Sequence, residues 1–129
     1  MPLVRIDLVR GRDPEQLRTL LDTVHEAMVA AFGVPETDRY QVLTQHEPGD
    51  LIALDTDLGF ARTDDLVLLQ FTSRERTDEA KTELYRRLAV DLHERCGLAP
   101  SDLVVTLVEN GPADWSFGGG VAQFVTGDL

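Results

Sequence analysis

One cysteine, Cys96, is all the sulfur chemistry that these 129 residues offer, apart from two methionines. A single cysteine closes no internal disulfide, which fits a reducing compartment. No apolar run approaches the ~20 residues that a membrane span needs, and no basic segment leads into an apolar one near the start, so no signal peptide is expected. A cytoplasmic protein is the reading these absences favour. Positive charge is also scarce: 12 Lys and Arg stand against 23 Asp and Glu, for a net charge of −11. That balance argues against nucleic acid and anionic membranes as partners. The three histidines, His25, His46 and His93, show no metal-ligand spacing, so no metal is expected. Gly118-Gly119-Gly120 has neither a strand-to-helix setting nor a following Lys, so it is not a phosphate loop. No cofactor is expected.

What is present suffices for one globular domain over residues 1–129, since 43% of the residues are apolar. Leu3 to Val9 alternates as a strand. Asp13-Pro14-Glu15-Gln16 then carries a helix start: Asp as N-cap, Pro at the first helical position, Gln reaching back. Apolar residues follow at helical spacing from Leu17 to Phe32, and Gly33 ends the helix. Arg39 to Gln45 reads as a second strand. Residues 46–63 read as a connection with one small strand at Leu51-Ile52-Ala53-Leu54. Leu66 to Thr72 is a strand buried on both faces. Thr77-Asp78-Glu79 opens a second helix, with Leu84, Leu88, Leu92 and Cys96 on one face and Gly97 as its stop. Leu103 to Val108 is the last strand, and a glycine-rich tail with Trp115, Phe117 and Phe124 follows, expected as a flexible hairpin.

The two halves repeat. Gly33 and Gly97 are 64 positions apart, and so are Asp13 and Thr77, Arg10 and Arg74, Arg12 and Arg76, and Asp38 and Asp102. Each half, about 1–45 and 65–109, reads as strand, Arg-x-Arg, capped helix, glycine stop, turn and strand. Two such β-α-β units predict an α/β (α+β) fold: a four-stranded mixed sheet with two helices on one face. The other face has no helix to cover it, so burial against further subunits is expected.

Pro2 stands at the start of the first strand. Loss of Met1 would give it a free secondary amine, a group that titrates near pH 8 and shifts with burial. Taken alone, Pro2 is a tolerated residue on an edge strand, Arg74 and Arg76 are solvated charges at a strand end, and Asp38 is a turn residue. The company these residues keep alters that reading. Met1-Pro2-Leu3, Val34-Pro35-Glu36 through Asp38-Arg39-Tyr40-Gln41-Val42, Thr72-Ser73-Arg74-Glu75-Arg76, Glu94-Arg95-Cys96-Gly97, and Ala113-Asp114-Trp115-Ser116-Phe117-Gly118 with Ala122-Gln123-Phe124 span the whole chain. On these stretches the sequence resembles the tautomerase superfamily, whose β-α-β units use an amino-terminal proline for catalysis. Within it, the malonate semialdehyde decarboxylases are the nearest likeness.

The resemblance implies a catalytic Pro2, a partner carboxylate at Asp38 and substrate-carboxylate arginines at Arg74 and Arg76. It further implies an apolar wall from Trp115, Phe117, Phe124 and Leu129, and a homotrimer. Glu75 departs from it, because a neutral residue is expected between the two arginines. The implied activity is cofactor-independent decarboxylation of a small 3-oxo acid, malonate semialdehyde to acetaldehyde and CO2. The chemistry suits these residues. A secondary amine forms an iminium with an aldehyde or donates a hydrogen bond as a cation. A carboxylate activates a water or bonds the carbonyl side. Two arginines spaced by one residue on an extended backbone point to one side and grip a carboxylate. The alternatives are another proline-dependent enzyme of the superfamily (a hydratase or dehalogenase of short unsaturated acids, or an enol-keto tautomerase) and a non-catalytic oligomeric binding protein. The tail offers Glu109, Asp114 and Asp128 as a dehalogenase's water-activating base, but Trp115 and Phe117 dominate its middle, which places that reading second. Arg10 and Arg12 are read as surface or subunit-contact residues, and Cys96 as a small buried apolar residue.

Overall fold

Alternation in Leu3–Val9 (β1) turns Val4, Ile6 and Leu8 to one side of the sheet, where each is at most 2% exposed. The computed structural model describes residues 2–129. The helix that follows, Pro14–Phe32 (α1), begins with the expected capping box. Asp13 Oδ1 accepts the Gln16 backbone N–H at 2.8 Å, and the Asp13 N–H donates to Gln16 Oε1 at 2.9 Å. Gly33 closes α1 at φ 65°, a left-handed conformation that an L side chain adopts only with strain. The chain returns through Tyr40–His46 (β2), crosses to Val67–Arg74 (β3), and repeats the pattern with Asp78–Cys96 (α2), capped by Thr77, and Leu103–Asn110 (β4).

The sheet order is β2-β1-β3-β4. β1 runs parallel to β2, β3 runs parallel to β4, and the two halves meet antiparallel across β1 and β3. Ile6, Leu8, Leu69 and Phe71 from the central strands meet Leu20, Val24 and Met28 of α1 and Leu84, Leu88 and Leu92 of α2, all essentially inaccessible to water. Burying each such side chain contributes about 1.5–3 kcal/mol. Both helices lie on this face, so the mixed four-stranded sheet covered on one side is the architecture found.

Neither α1 nor α2 covers the opposite face. Tyr40 and Val42 on β2 are each 39% exposed and Val108 on β4 is 48% exposed, and His46 Nε2 pairs there with Asp7 Oδ1 at 2.6 Å. Residues 47–66 contain no strand, contrary to the small one expected at Leu51–Leu54. Ile52, Leu54, Leu58 and Phe60 project from this connection, and Thr56 and Asp57 take left-handed φ values of 55° and 62°. It is anchored by Arg62, whose Nη1 donates to the Ser101 carbonyl at 2.5 Å. The tail also departs from expectation. In place of a hairpin it forms a 3-10 turn at Pro112–Asp114 and a one-turn helix at Gln123–Thr126 (α3). The glycines at 118–120 all have positive φ, so the segment coils back instead of extending into paired strands.

The caps are discrete contributions that substitution isolates. Asp13→Ala and Thr77→Ala should each lower stability by about 1 kcal/mol, read from urea denaturation at one fixed protein concentration. Indifference to both would show that the helices hold by packing alone.

Candidate active site

The antiparallel junction brings distant residues to one edge of the sheet. Leu3 of β1 lies opposite Tyr40 of β2 and opposite Thr72 of β3. The starts of β1 and β2 and the ends of β3 and β4 therefore share an edge. Pro2, one residue before Leu3, sits there and is buried. Asp38 is two residues before Tyr40, and Arg74 and Arg76 follow Thr72 by two and four residues.

Asp38 is 6% exposed. Its backbone N–H donates to the Pro35 carbonyl at 3.0 Å, which fixes the turn, but its carboxylate Oδ2 is buried with no hydrogen-bond partner among the described residues. Burial pushes this carboxyl above the usual range, and facing positive charges, Arg76 and His25 among them, hold back part of the rise. The repeat supplies a control. Asp102, at the equivalent position of the second half, is 2% exposed but fully served: it accepts the Thr63 N–H at 2.7 Å and the Thr63 hydroxyl at 2.5 Å. One aspartate is structural; the other keeps a lone pair unused, at a cost of about 1–3 kcal/mol. That is the signature of a group left available for a ligand or a proton.

Arg76 is held from two directions. Its Nε donates to the hydroxyl of fully buried Ser73 at 3.2 Å, and its guanidinium carbon lies 4.8 Å from the centre of the Phe32 ring at the end of α1. Burial pushes its pKa down, the charge of Arg74 adds to that, and Asp38 opposes it. Arg74, the last residue of β3, instead lies over Phe124 of α3, 4.2 Å from the ring centre. The two side chains thus leave the chain toward different rings, not together to one side. The reason is that β3 ends at Arg74, so strict alternation does not extend to Arg76. They still share a cleft of about 520 Å³ with Glu75, Thr77 and Asn110. Glu75 is exposed yet lines this cleft, so its negative charge is not removed from the arginines' surroundings. The segment is pinned by Glu109, which accepts the Arg76 backbone N–H at 3.2 Å and pairs with Lys81 at 2.5 Å.

The tail covers the same edge. Trp115 stacks on Phe117 with ring centres 5.3 Å apart, Phe124 meets Phe117 edge-on at 5.5 Å, and Tyr40 joins at 5.7 Å. Trp115 Nε1 donates to Asn110 Oδ1 at 2.7 Å, which ties the cluster to the end of β4. Leu129 does not join this stack: its side chain is 59% exposed and its backbone N–H donates to the Gln123 carbonyl at 3.3 Å. Four contributors were missed in the sequence: Tyr40, Phe32, Ser73 and His25. The repeat itself carried a signal for three of them, because Phe32, His25 and Ser73 stand where the other half of the repeat has Cys96, Ala89 and Val9 respectively.

At the opposite edge, Arg10 and Arg12 line a cavity of about 570 Å³ with Asp64, Asp65 and Cys96. There Leu66 stands at the repeat position of Pro2, Arg12 Nη2 is spent on the Asp65 carbonyl at 2.7 Å, and Arg10 pairs with Glu47 at 2.9 Å. The internal symmetry of the fold is therefore not a symmetry of chemistry.

The raised carboxyl of Asp38 has a consequence for stability. A folded-state pKa above the unfolded value means that stability falls as pH rises through that interval and stays lower above it. Asp38→Asn should consequently match the parent below about pH 4 and exceed it in melting temperature near neutrality. A variant less stable than the parent at neutral pH would show that the carboxylate is supported in the folded state.

Family models for tautomerase enzymes match residues 2–61 and 38–118. A probable tautomerase of Bacillus subtilis (strain 168), YrdN, is 52% identical over 129 residues, covering 100% of both chains. Among solved structures, a malonate semialdehyde decarboxylase described with decarboxylase and hydratase activities superposes with a TM-score of 0.96 at 50% identity, over 98% of each chain. The FG41 malonate semialdehyde decarboxylase, inhibited by 3-bromopropiolate, gives 0.95 at 43% identity, over 98% of this chain and 97% of that one. On the family models, the identity and the shared architecture, the chain belongs to the tautomerase superfamily.

Proposed function

We propose that this protein is a cofactor-independent decarboxylase of a small 3-oxo acid, converting malonate semialdehyde to acetaldehyde and CO2. The observation that carries the reading is the buried oxygen of Asp38, without a hydrogen-bond partner among the described residues and facing the charge of Arg76, at the sheet edge where Pro2 lies. The likeness to malonate semialdehyde decarboxylases at 50% and 43% identity supports the choice of substrate.

In this reading, Arg74 and Arg76 receive the substrate carboxylate as a charge-assisted pair of donors. The amine of Pro2, freed by loss of Met1, takes the aldehyde end, as an iminium or as a cationic donor to the carbonyl oxygen. The iminium accepts the electron pair released when the C–C bond breaks and becomes an enamine; with the cationic donor, the carbonyl accepts it and becomes an enolate whose oxygen the amine stabilises. Asp38 exchanges the proton that the product carbon needs. Trp115, Phe117 and Phe124 exclude water, which favours conversion of a carboxylate to neutral CO2, and Leu129 is assigned to the rim of that wall. No metal or organic cofactor takes part. The working molecule is a cytoplasmic homotrimer, its uncovered sheet faces turned toward one another.

A second reading, an enol-keto tautomerase, is favoured by the probable tautomerase at 52% identity. It would use the same amine as a proton carrier between carbon and oxygen. Incubation with malonate semialdehyde and with phenylenolpyruvate separates the two readings. Acetaldehyde and CO2 from the first substrate at the higher kcat/KM is the expected result; turnover of phenylenolpyruvate alone would establish the second. Arg76→Ala should lower kcat/KM for malonate semialdehyde by roughly 10- to 150-fold, and Arg10→Ala should leave it near the parent value. Equal losses would place the site at the wrong edge of the sheet. Light scattering should give three times the 14.3 kDa chain mass, and a stable monomer at micromolar concentration would refute the trimer.

A further inference from the structure

Ser73 breaks the pattern of its own strand. Val67, Leu69 and Phe71 precede it on the helix-facing side of β3, and all four residues are fully buried. A hydroxyl there costs desolvation and gives up the packing that a β-branched apolar side chain would supply. The other half of the repeat has Val9 at this position, with no hydroxyl. Among the described residues, the Ser73 side chain has one partner, the Nε–H of Arg76, which donates to its Oγ at 3.2 Å. The same guanidinium serves the end of α1. The last turn of α1 holds no basic residue, whereas that of α2 holds His93 and Arg95. Arg76 fills the gap from outside the helix. Its Nη1 donates at 3.4 Å to the Phe32 carbonyl, one of those that a helix end leaves without an internal partner, and the Phe32 ring backs the group. The Arg76 backbone is held separately, by its N–H to Glu109 at 3.2 Å. Nη2 is what remains. It bonds to none of the described residues, and Arg76 opens on the cleft it shares with Arg74. The counterpart Arg12 is the reverse case: it has Val9 and Cys96 in place of Ser73 and Phe32, and its Nη2 is spent on the Asp65 carbonyl.

We propose that Ser73 is a positioning residue that acts through Arg76: its hydroxyl and the Phe32 carbonyl fix Nε and Nη1, so that Nη2 is the donor offered to the substrate carboxylate. This rests on the reading of Arg76 as a carboxylate-binding residue. A guanidinium carries its N–H donors in one plane, and a carboxylate grips it from the side, through Nε and one Nη, or from the end. A side-on grip would need Nε, which Ser73 already holds, so the approach left is end-on, led by Nη2. The plane of the group is set before substrate arrives, and little side-chain freedom is left to lose on binding. Without the hydroxyl, Nε–H would face the apolar end of β3 with no acceptor, and the arginine would gain by turning toward water. Arg74 is backed instead by the ring of Phe124, so one arginine takes its orientation from the core and the other from the tail.

Malonate is the probe, so the test does not depend on turnover. Calorimetry should show malonate bound about tenfold more weakly by Ser73→Ala than by the parent. Ser73→Thr, which restores the hydroxyl, should stay within about threefold of the parent. Ser73→Val, the side chain of the other half, removes the same acceptor while filling the space. It should weaken malonate as Ser73→Ala does, which keeps the test decisive if the smaller variant folds poorly. With Arg76→Ala in the background, adding Ser73→Ala should change the affinity by less than about twofold, because a residue that acts through Arg76 then has nothing to act on. A residue that only supports the fold would weaken both backgrounds alike. Equal losses in the two backgrounds, or parent-like affinity for Ser73→Val, would overturn the proposal. With malonate semialdehyde, Ser73→Ala should raise KM about tenfold and leave kcat within about threefold; a fall in kcat alone would overturn it too. Malonate affinity that survives Arg76→Ala unchanged would remove the premise and the proposal with it. Failure of the parent to decarboxylate malonate semialdehyde would defeat the decarboxylase reading, and the malonate affinities would still decide the role of Ser73.

Discussion

Everything at the proposed site depends on the antiparallel pairing of β1 with β3. Each β-α-β half is internally parallel, so each alone would place its strand starts at one edge and its Arg-x-Arg segment at the other. Only by running the halves in opposite directions does the fold set Pro2 and Asp38 of the first beside Arg74 and Arg76 of the second. The register is fixed because Val4, Ile6 and Leu8 on one strand and Val67, Leu69 and Phe71 on the other must all face the helices. A slip of one residue would turn each set to the opposite face. The hydrophobic core thereby sets the geometry of the polar edge.

The two edges show how a repeated unit becomes functionally asymmetric. Both carry an arginine pair, an aspartate and a helix end. At one edge Asp102 is saturated by Thr63, and Arg12 is committed to a backbone carbonyl. At the other, Asp38 has an oxygen without a partner among the described residues, Arg76 is partly desolvated, and an aromatic cluster closes over the sheet. Saturated groups contribute to folding, whereas groups held unsaturated store a free-energy cost that a bound ligand can relieve.

Local signals in the sequence located the elements well. The Asp13-Pro14-Glu15-Gln16 start and the Gly33 stop of α1 are decided by residues close in sequence, and the 64-residue repeat implied a second unit of the same kind. The tail was misread because Gly118-Gly119-Gly120 permits several backbones. What selects among them is a non-local contact: the packing of Phe117 and Phe124 against Tyr40 and Arg74. The splaying of Arg74 and Arg76 was equally illegible, since it depends on Phe32 and Ser73 catching one guanidinium.

The central claim is that Pro2, Asp38, Arg74 and Arg76 serve one small substrate. A crystal structure with malonate, an unreactive dicarboxylate shaped like malonate semialdehyde, tests this most directly. The account predicts one carboxylate on the guanidinium groups of Arg74 and Arg76 and the other end within hydrogen-bond reach of the Pro2 amine and Asp38. Malonate seated instead against Arg10 and Arg12, or held by the arginines with its far end beyond reach of Pro2, would contradict it.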